Sequence, residues 1–159
     1  MKILGVDPGI KGGCAIVMVH DGAAPDVVDI IEIPVVGVGA KERRRPRNPH
    51  LDSRSPDPAR IYRTRAMPKQ GASSGFKYGR ATGAIEAVLT CCEIPMTIIE
   101  PTAWKKFRQF RGGDKEAGRQ RALQLFPSAH ALLARNGEAA LIALYGANLI
   151  TPVGAQHAA

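Results

Sequence analysis

The stretch MKILGVDPGIKGGCAIVMV, residues 1–19, decides the fold of this chain. An apolar run from Ile3 to Val6 ends in Asp7, and a second apolar run extends from Cys14 to Val19. The proline and three glycines between the two runs are typical of a tight connection. The sequence therefore predicts a β-hairpin with a carboxylate at the end of a buried first strand.

Asp7 is the first candidate metal ligand. Burial of a carboxylate costs free energy unless a partner compensates it, and Mg²⁺ takes oxygen ligands while it keeps several waters. The alternative is a structural Asp-Pro-Gly turn in which Asp7 bonds the amides of its own turn. The glycines favour the metal-ligand interpretation, because they let backbone or phosphate approach closely.

The bulk composition narrows the classes of protein. With 159 residues, 45% of them hydrophobic, the chain is long enough for one globular domain, predicted over residues 1–150. The net charge of +8 and the pI near 9.8 indicate a polyanionic partner. The three cysteines have no C-x-x-C spacing, and no apolar run reaches the roughly 20 residues that cross a bilayer. We expect a cytoplasmic protein with no membrane partner.

A third β-rich run extends from Val27 to Val36, and its acids Asp29 and Glu32 face opposite sides, so at least one is solvated rather than catalytic. Residues 41–60 then form a proline- and arginine-rich segment that has little to bury, and we predict an exposed, flexible basic loop. Its arginines are candidates for phosphate contacts, although a merely solvated charge run is an equal alternative: Arg43, Arg44, Arg45 and Arg47.

The middle of the chain predicts a strand, a helix and a second strand. A short strand over Ile61–Met67 precedes a helix over Phe76–Cys91 that begins at an N-cap serine and packs one apolar face on the sheet. The next strand lies within Glu93–Pro101, and a helical crossover of this kind favours parallel strands. The N-cap candidates are Ser73 and Ser74, and the apolar face consists of Ala81, Ala84, Ile85, Val88 and Leu89.

Glu100 ends the predicted second strand, as Asp7 ends the first. Because open α/β sheets place their sites at the carboxyl ends of strands, the two acids are candidate neighbours. The alternative, which we favour, is that Glu100 caps the turn before Trp104. Trp104 lies beside Lys105 and has two interpretations, a base-stacking residue or a core residue whose basic neighbours extend outward.

Two further helices complete the domain. One is predicted over Asp114–Phe126, with a basic polar face that suits nucleic acid, and the last ends near Leu149 after starting near Ala129 or Gly137. Glu138 opens the strongest part of that last helix, where the helix dipole favours an acid regardless of function. Residues 151–159 are predicted to be a frayed tail.

Taken together and in order, five segments resemble the phage-type and bacterial relatives of RuvC Holliday junction resolvases. The segments are D-P-G-I-K-G-G, A-M-P-K-Q-G-A-S-S-G-F-K-Y-G-R, E-P-T-A-W-K-K, G-G-D-K-E-A-G-R-Q-R-A-L-Q-L-F-P and G-E-A-A-L-I-A-L-Y-G. The resemblance covers most of the chain outside residues 41–65. It implies an α/β, RNase H-like fold with a mixed five-stranded sheet flanked by helices, and an endonuclease that resolves branched DNA, usually as a homodimer.

The resemblance also implies a set of site residues. Acids from separate elements hold two Mg²⁺ or Mn²⁺ ions, which activate water and neutralise the leaving oxygen. Asp7 matches the family's first-strand aspartate, Glu138 matches its terminal-helix acid, and Glu100 is a weaker third candidate. The basic and aromatic positions suggested for DNA contact, besides the arginines of residues 41–60, are Lys69, Lys77, Arg80, Trp104, Lys105 and Lys115.

Two departures from the family put the activity in question. The family has a glutamate on the strand before A-M-P-K-Q-G, at about Tyr62 here, and a second acid one turn before Glu138, where this chain has Arg135 and Asn136. Neither tyrosine nor arginine supplies a metal-binding carboxylate, and arginines repel cations. Matching sequence on both sides of the arginine-rich segment suggests a locally shifted reading frame or a decaying gene, which translation of the coding DNA in all three frames would test. In either case one strand of the sheet is expected to be degraded.

The sequence therefore supports a metal-dependent DNA endonuclease as the first hypothesis. A catalytically impaired, DNA-binding remnant of the same fold is the second. A kinase or ATPase of the actin-like class also opens with an Asp-Gly hairpin, but that fold needs two such domains and far more residues than 159.

Overall fold

The secondary structure alternates strands and helices in the order of a mixed α/β domain. A computed structural model describes residues 1–8, 12–20, 23–32, 60–64, 71–107, 115–133 and 137–150. A short 3₁₀ turn, Pro127–Ala129, joins the third and fourth helices. The elements are β1 (Lys2–Asp7), β2 (Gly13–Met18), β3 (Asp26–Glu32), β4 (Arg60–Thr64), α1 (Ala72–Cys91), β5 (Met96–Ile99), α2 (Pro101–Phe107), α3 (Lys115–Leu125), α4 (His130–Leu133) and α5 (Gly137–Ile150).

The strands form a sheet in the order β3-β2-β1-β4-β5. β1 and β2 pair antiparallel, with Asp7 opposite Gly13, which confirms the predicted hairpin. β1, β4 and β5 run parallel, so α1 is the crossover between the neighbouring strands β4 and β5. The prediction of a mixed α/β fold is confirmed.

The larger core lies between the sheet and α5. Side chains alternate along β1, so Ile3 enters this core while Val6 faces the opposite side. α5 is apolar around most of its circumference, as its sequence GEAALIALYGANLI predicts for a helix buried against several elements. It packs on β1, β2 and β4 and also contacts α2 and α3.

The smaller core lies between the sheet and α1. It consists of Val6 and Leu89 with partly buried neighbours that include Ile85 of α1. Ala84 and Val88, which the sequence analysis placed on the packed face, are exposed. The apolar stripe of α1 is wider than the patch of sheet that covers it, so that part of the prediction is wrong.

The start of α1 also differs from the predicted one. The N-cap is Gly71, in an extended conformation with φ −60° and ψ 154°, and no side chain caps the helix. The carbonyl oxygen of Gly71 accepts a hydrogen bond from the amide of Gly75 at 2.9 Å. Ser73 and Ser74 therefore lie within the first helical turn, because backbone extension at a glycine is sufficient to begin the helix there.

The other predicted elements occur with shifted ends. The third run forms β3, although its residues 33–36 lie outside the described part of the chain, as do the predicted loop up to residue 59 and the tail from residue 151. Residue 60 belongs to β4 rather than to the loop. The amphipathic helix is α3, and Ala122 and Phe126 are buried as predicted. No helix among the described residues is long and apolar enough to cross a membrane.

Candidate active site

The sheet approaches α5 closely at Gly5. A Cβ atom at this position would collide with the carbonyl oxygen of Ala139 and would lie 2.9 Å from the Cβ atom of Ala143. Only glycine permits this backbone contact. Asp7 lies two residues after Gly5, and Glu138 lies one residue before Ala139. Both acids are therefore within two residues of the point where β1 touches α5.

One feature of the sequence indicates the contact of β1 with another element. A glycine inside an otherwise apolar strand often marks a close approach of another backbone, and Gly5 interrupts the run from Ile3 to Val6. The partner could not be predicted, because it lies in the last helix of the domain.

Asp7 is half-buried at the end of β1. Its carboxylate lies close enough to Cys14 on β2 to influence that thiol. Burial raises the pKa of Cys14 to about 12, and the negative charge of Asp7 adds to the increase. The thiol is therefore protonated at neutral pH in the metal-free protein.

The position of Glu138 is fixed by the packing of the first residue of α5. Gly137 is buried, and a Cβ atom there would lie 2.9 Å from the Cβ of Ala122 and 3.0 Å from the Cα of Arg119. α3 thus holds the N-terminus of α5 at close range, and Glu138 follows half-buried in the first turn. An acid at this position is also favoured by the helix dipole.

β4 lies next to β1 but contributes no acid. Its sequence, R-I-Y-R-T, contains no aspartate or glutamate, and its register pairs Tyr62 with Gly5. The position for which the resemblance implies a glutamate is thus next to the β1–α5 contact and holds a tyrosine. Arg135 and Asn136, at the second departure, lie outside the described residues.

Glu100 is at the carboxyl end of β5, and this end is on the same edge of the sheet as Asp7 because β1, β4 and β5 are parallel. It is exposed and directly precedes α2. Its carbonyl oxygen accepts a hydrogen bond from the amide of Ala103 at 3.0 Å. This backbone bond is typical of a residue that begins a helix, which agrees with the favoured alternative of a capping role.

The acids of β3 received no site role from the sequence, and the structure separates them. Asp29 is buried, and its Oδ1 accepts a hydrogen bond from the amide of Ile30 at 2.8 Å. Glu32 ends β3 at the register position opposite Gly13, whose other partner is Asp7. The sequence of β3 alone does not predict that Glu32 and Asp7 share Gly13 as a register partner. This relation depends on the pairing of β2 with both β1 and β3.

The acids present fit one divalent ion better than two. Mg²⁺ is commonly bound through one or two carboxylates together with substrate phosphates, which is the number that Asp7 and Glu138 provide. Within the described ranges, no group of three or more His, Cys, Asp or Glu side chains could hold a metal ion. The ligand set for a second ion is thus not found among the described residues.

Trp104 is a core residue. It is 2% exposed and belongs to the main core with Ile99 and Phe126. The Nζ atom of Lys105 lies 5.4 Å from the centroid of the Trp104 ring, where the cation interacts with the ring's π-face. The base-stacking prediction is wrong, because the tryptophan side chain is buried in the main core, and the core interpretation is confirmed.

The remaining basic candidates differ in their accessibility. Lys77 and Arg80 are exposed on α1, while Lys105 is partly buried. Lys115 is the first residue of α3. Lys69 and the arginines of the loop, Arg43, Arg44, Arg45 and Arg47, lie outside the described residues.

The polar face of α3 is less basic than its sequence indicates. Arg119 donates two hydrogen bonds to the carboxylate of Glu116, at 3.0 and 2.7 Å. These bonds lower the pKa of Glu116. Part of the positive charge on this helix is therefore neutralised within one turn.

Comparison with solved structures places this architecture. The chain is similar to Thermus thermophilus RuvC, both alone and in complex with a Holliday junction substrate, with a TM-score of 0.63, 17% sequence identity and coverage of 92% of this chain and 93% of RuvC. The chain has the fold of RuvC.

A viral enzyme gives a second match. The Fowlpox virus resolvase, solved in complex with Holliday junction DNA, has a TM-score of 0.50 and 15% identity, with coverage of 95% of this chain and 99% of the resolvase. No protein-family model matches the chain, and no curated protein is similar to it in sequence. The resemblance to RuvC suggested by five short motifs is thus supported by the backbone of the whole domain.

Proposed function

We propose that the protein is a divalent-metal-dependent endonuclease that binds and resolves four-way or otherwise branched DNA. The observation that carries the proposal is the approach of β1 to α5 at Gly5, which brings Asp7 and Glu138 to one region of a RuvC-like fold. Carboxylates from separate elements supply the oxygen ligands that a Mg²⁺ or Mn²⁺ ion of a hydrolytic site prefers. The net charge of +8 suits a DNA substrate.

Asp7 and Glu138 are the residues that would hold a Mg²⁺ or Mn²⁺ ion, with Glu100 as a weaker candidate. When bound, the ion supplies Lewis-acid stabilisation of the phosphate and a water of lowered pKa. The chain itself positions the carboxylates: Gly5 lets β1 and α5 approach, and Gly137 holds the first turn of α5 against α3. Lys77 and Arg80 are exposed and available for the DNA backbone.

A cleavage assay tests this proposal. A synthetic four-way junction labelled on each strand is incubated with the protein in Mg²⁺, in Mn²⁺ and in chelator, and a linear duplex of the same sequence serves as the control substrate. We expect metal-dependent nicking of the junction that Asp7→Asn abolishes. Cleavage that persists in Asp7→Asn would contradict the assignment of the site.

The acid-free strand β4 favours a second candidate, a noncatalytic protein that binds branched DNA. It predicts junction binding that weakens steeply with salt, because lysine and arginine contacts to phosphate release counterions. Binding would be unchanged by Asp7→Asn, and neither metal would support cleavage. The same junction assay separates the two candidates.

We further propose that the protein works as a homodimer through the C-terminal half of α1 and the adjacent strand β5. Val88 is 61% exposed and Ile98 is 52% exposed, and both side chains are large and apolar. Sedimentation should give a dimer for the wild type and a monomer for Val88→Asp. A wild-type monomer at micromolar concentration would contradict this assignment.

A further inference from the structure

Strand β3 forms one edge of the described sheet, and β5 forms the other. An edge strand presents unpaired amide and carbonyl groups that can pair with a strand of another chain. The two edges differ in charge, because β5 contains no charged residue and β3 contains three acids. One of these acids, Asp29, is 7% exposed, whereas Asp26 on the same strand is exposed. Burial of a carboxylate costs free energy, so the position of Asp29 needs a physical reason.

The hairpin of β1 and β2 determines which amides of β3 point to the open edge. Met1 and Val19 exchange two backbone hydrogen bonds, at 2.6 and 2.8 Å. Bonded and non-bonded pairs alternate along antiparallel strands, so Ala15, four residues before Val19, also directs its amide and carbonyl groups toward β1. The partner of Ala15 on β3 is Ile30, and the amide of Ile30 therefore points away from β2 to the open edge.

The side chain of Asp29 occupies this outward-pointing amide. Its Oδ1 accepts a hydrogen bond from the amide of Ile30 at 2.8 Å. Asp29 itself pairs with Ile16, and the register shifts next to this pair, so that Val28 has no partner residue on β2. The open edge of β3 is therefore interrupted at two neighbouring places, where a further strand would need a free amide and a regular register.

The sequence of β3 favours pairing with copies of itself, apart from Asp29. Residues 27–31 read V-V-D-I-I, so this aspartate is the single charge among four β-branched apolar residues. Such runs pair readily with identical runs when no charge or proline interrupts them. An aliphatic side chain at position 29 would avoid the desolvation of a carboxylate. The stability of the single domain thus does not account for the aspartate.

We propose that Asp29 prevents β3 from pairing with β3 of a second copy of this chain. Without it, two copies would join antiparallel through residues 27–31 and extend the sheet across the contact. The block confines self-association to other surfaces, such as the C-terminal half of α1 and β5. The inference does not depend on the proposed nuclease function, because it concerns only the edge of the sheet farthest from β5.

Sedimentation velocity tests the inference. Wild type, Asp29→Val, Asp29→Asn and Asp26→Val are compared from low to high micromolar concentration. Asp26→Val is the matched control, because it removes the same charge from an exposed position of the same strand. We expect Asp29→Val to self-associate at least roughly 10-fold more strongly than wild type, and Asp26→Val to remain unchanged. Asp29→Asn should stay near wild type, since its side-chain oxygen can still accept the hydrogen bond from Ile30.

A further variant separates edge pairing from unfolding. Val28 is 47% exposed and lies beside Asp29, so Val28→Lys in the Asp29→Val background returns a charge to the edge without a change in the core. We expect this double variant to sediment like wild type, because a lysine on an edge strand disfavours pairing with another strand. Association caused by unfolding would persist in the double variant.

Hydrogen exchange locates the new contact. We expect the β3 peptide of Asp29→Val to gain protection as the protein concentration rises, while α5, which packs on the inner strands β1, β2 and β4, stays unchanged. Wild-type sedimentation of Asp29→Val, or association without added protection of β3, would overturn the inference. Association that Val28→Lys does not reverse would also overturn it. Equal association of Asp29→Asn and Asp29→Val would overturn the role of the hydrogen bond to Ile30.

Discussion

Helices α1 and α5 pack on the same sheet but differ in how much of each helix is buried. α5 has 14 residues, nine of them buried, whereas α1 has 20 residues with only Thr82 and Leu89 buried. Isolated helices of this length are marginally stable, so packing determines how firmly each is held. The difference indicates that α5 is held firmly within the domain, while most of α1 is open to solvent.

The largest expected difference concerns apolar side chains on the two helices. Leu141 on α5 is fully buried, and Leu141→Ala should lower the free energy of unfolding by about 4 kcal/mol. Val88→Ala on α1 should change it by less than about 0.5 kcal/mol, because the side chain is exposed. Urea denaturation of both variants measures the contrast. Equal losses in the two variants would show that α1 is packed as firmly as α5.

A substitution at Gly5 should destabilise the protein nearly as much as Leu141→Ala. Gly5→Ala places a methyl group against the backbone of α5, and we expect a loss of about 3 kcal/mol in the free energy of unfolding. The same variant should also lose metal-dependent cleavage, because β1 and α5 would move apart beside Asp7 and Glu138. Near-wild-type stability of Gly5→Ala would contradict the contact on which the site depends.

The cysteines test the one region where α1 does cover the sheet. Cys14 packs against the small core of Val6 and Leu89, whereas Cys91 and Cys92 are exposed at the end of α1. At pH 8, iodoacetamide should modify Cys14 at least roughly 100-fold more slowly than Cys91 and Cys92, because the pKa of Cys14 is raised to about 12. Mass spectrometry of the native protein should show two modified cysteines, and three in urea. Rapid modification of Cys14 would indicate that α1 detaches readily.

The pH dependence of stability follows from the same thiol. Its pKa is higher in the folded protein than the ordinary value of 9.0, so its contribution to stability is complete below pH 9 and is lost as the pH rises toward about 12. Cys14→Ala should reduce the decline in the free energy of unfolding over this range. An identical decline in the variant would assign it to other groups.

The smallest expected effect is a gain in stability on α1. A Cβ atom at Gly83 would have no neighbour within 4 Å. Gly83→Ala should therefore raise the free energy of unfolding by about 0.5 to 1 kcal/mol, because alanine has the higher helix propensity. Urea denaturation of Gly83→Ala and Gly5→Ala under the same conditions compares their free energies of unfolding directly. A loss of stability would mean that α1 contacts another part of the chain at this position.

Local patterns predicted much of the fold because they depend on neighbours in sequence. The hairpin ending in Asp7 and the amphipathic helix α3 were predicted from periodicity and glycine spacing alone. The exposure of Val88 was not predicted, and the burial of Trp104 was one of two open interpretations, since both depend on how much surface each helix covers in the tertiary structure. The relation of Asp7 to Glu138 came only from family resemblance, because their elements are at opposite ends of the domain sequence.

The proposed metal site requires that Asp7 and Glu138 bind the same divalent ion. Calorimetric titration with Mn²⁺ of the wild type, Asp7→Asn, Glu138→Gln and the double variant tests it most directly. Residues that share one ligand give non-additive losses, so each single variant should lose most of the affinity and the double variant little more. Losses that add, or a wild-type affinity retained in both single variants, would contradict a shared metal site.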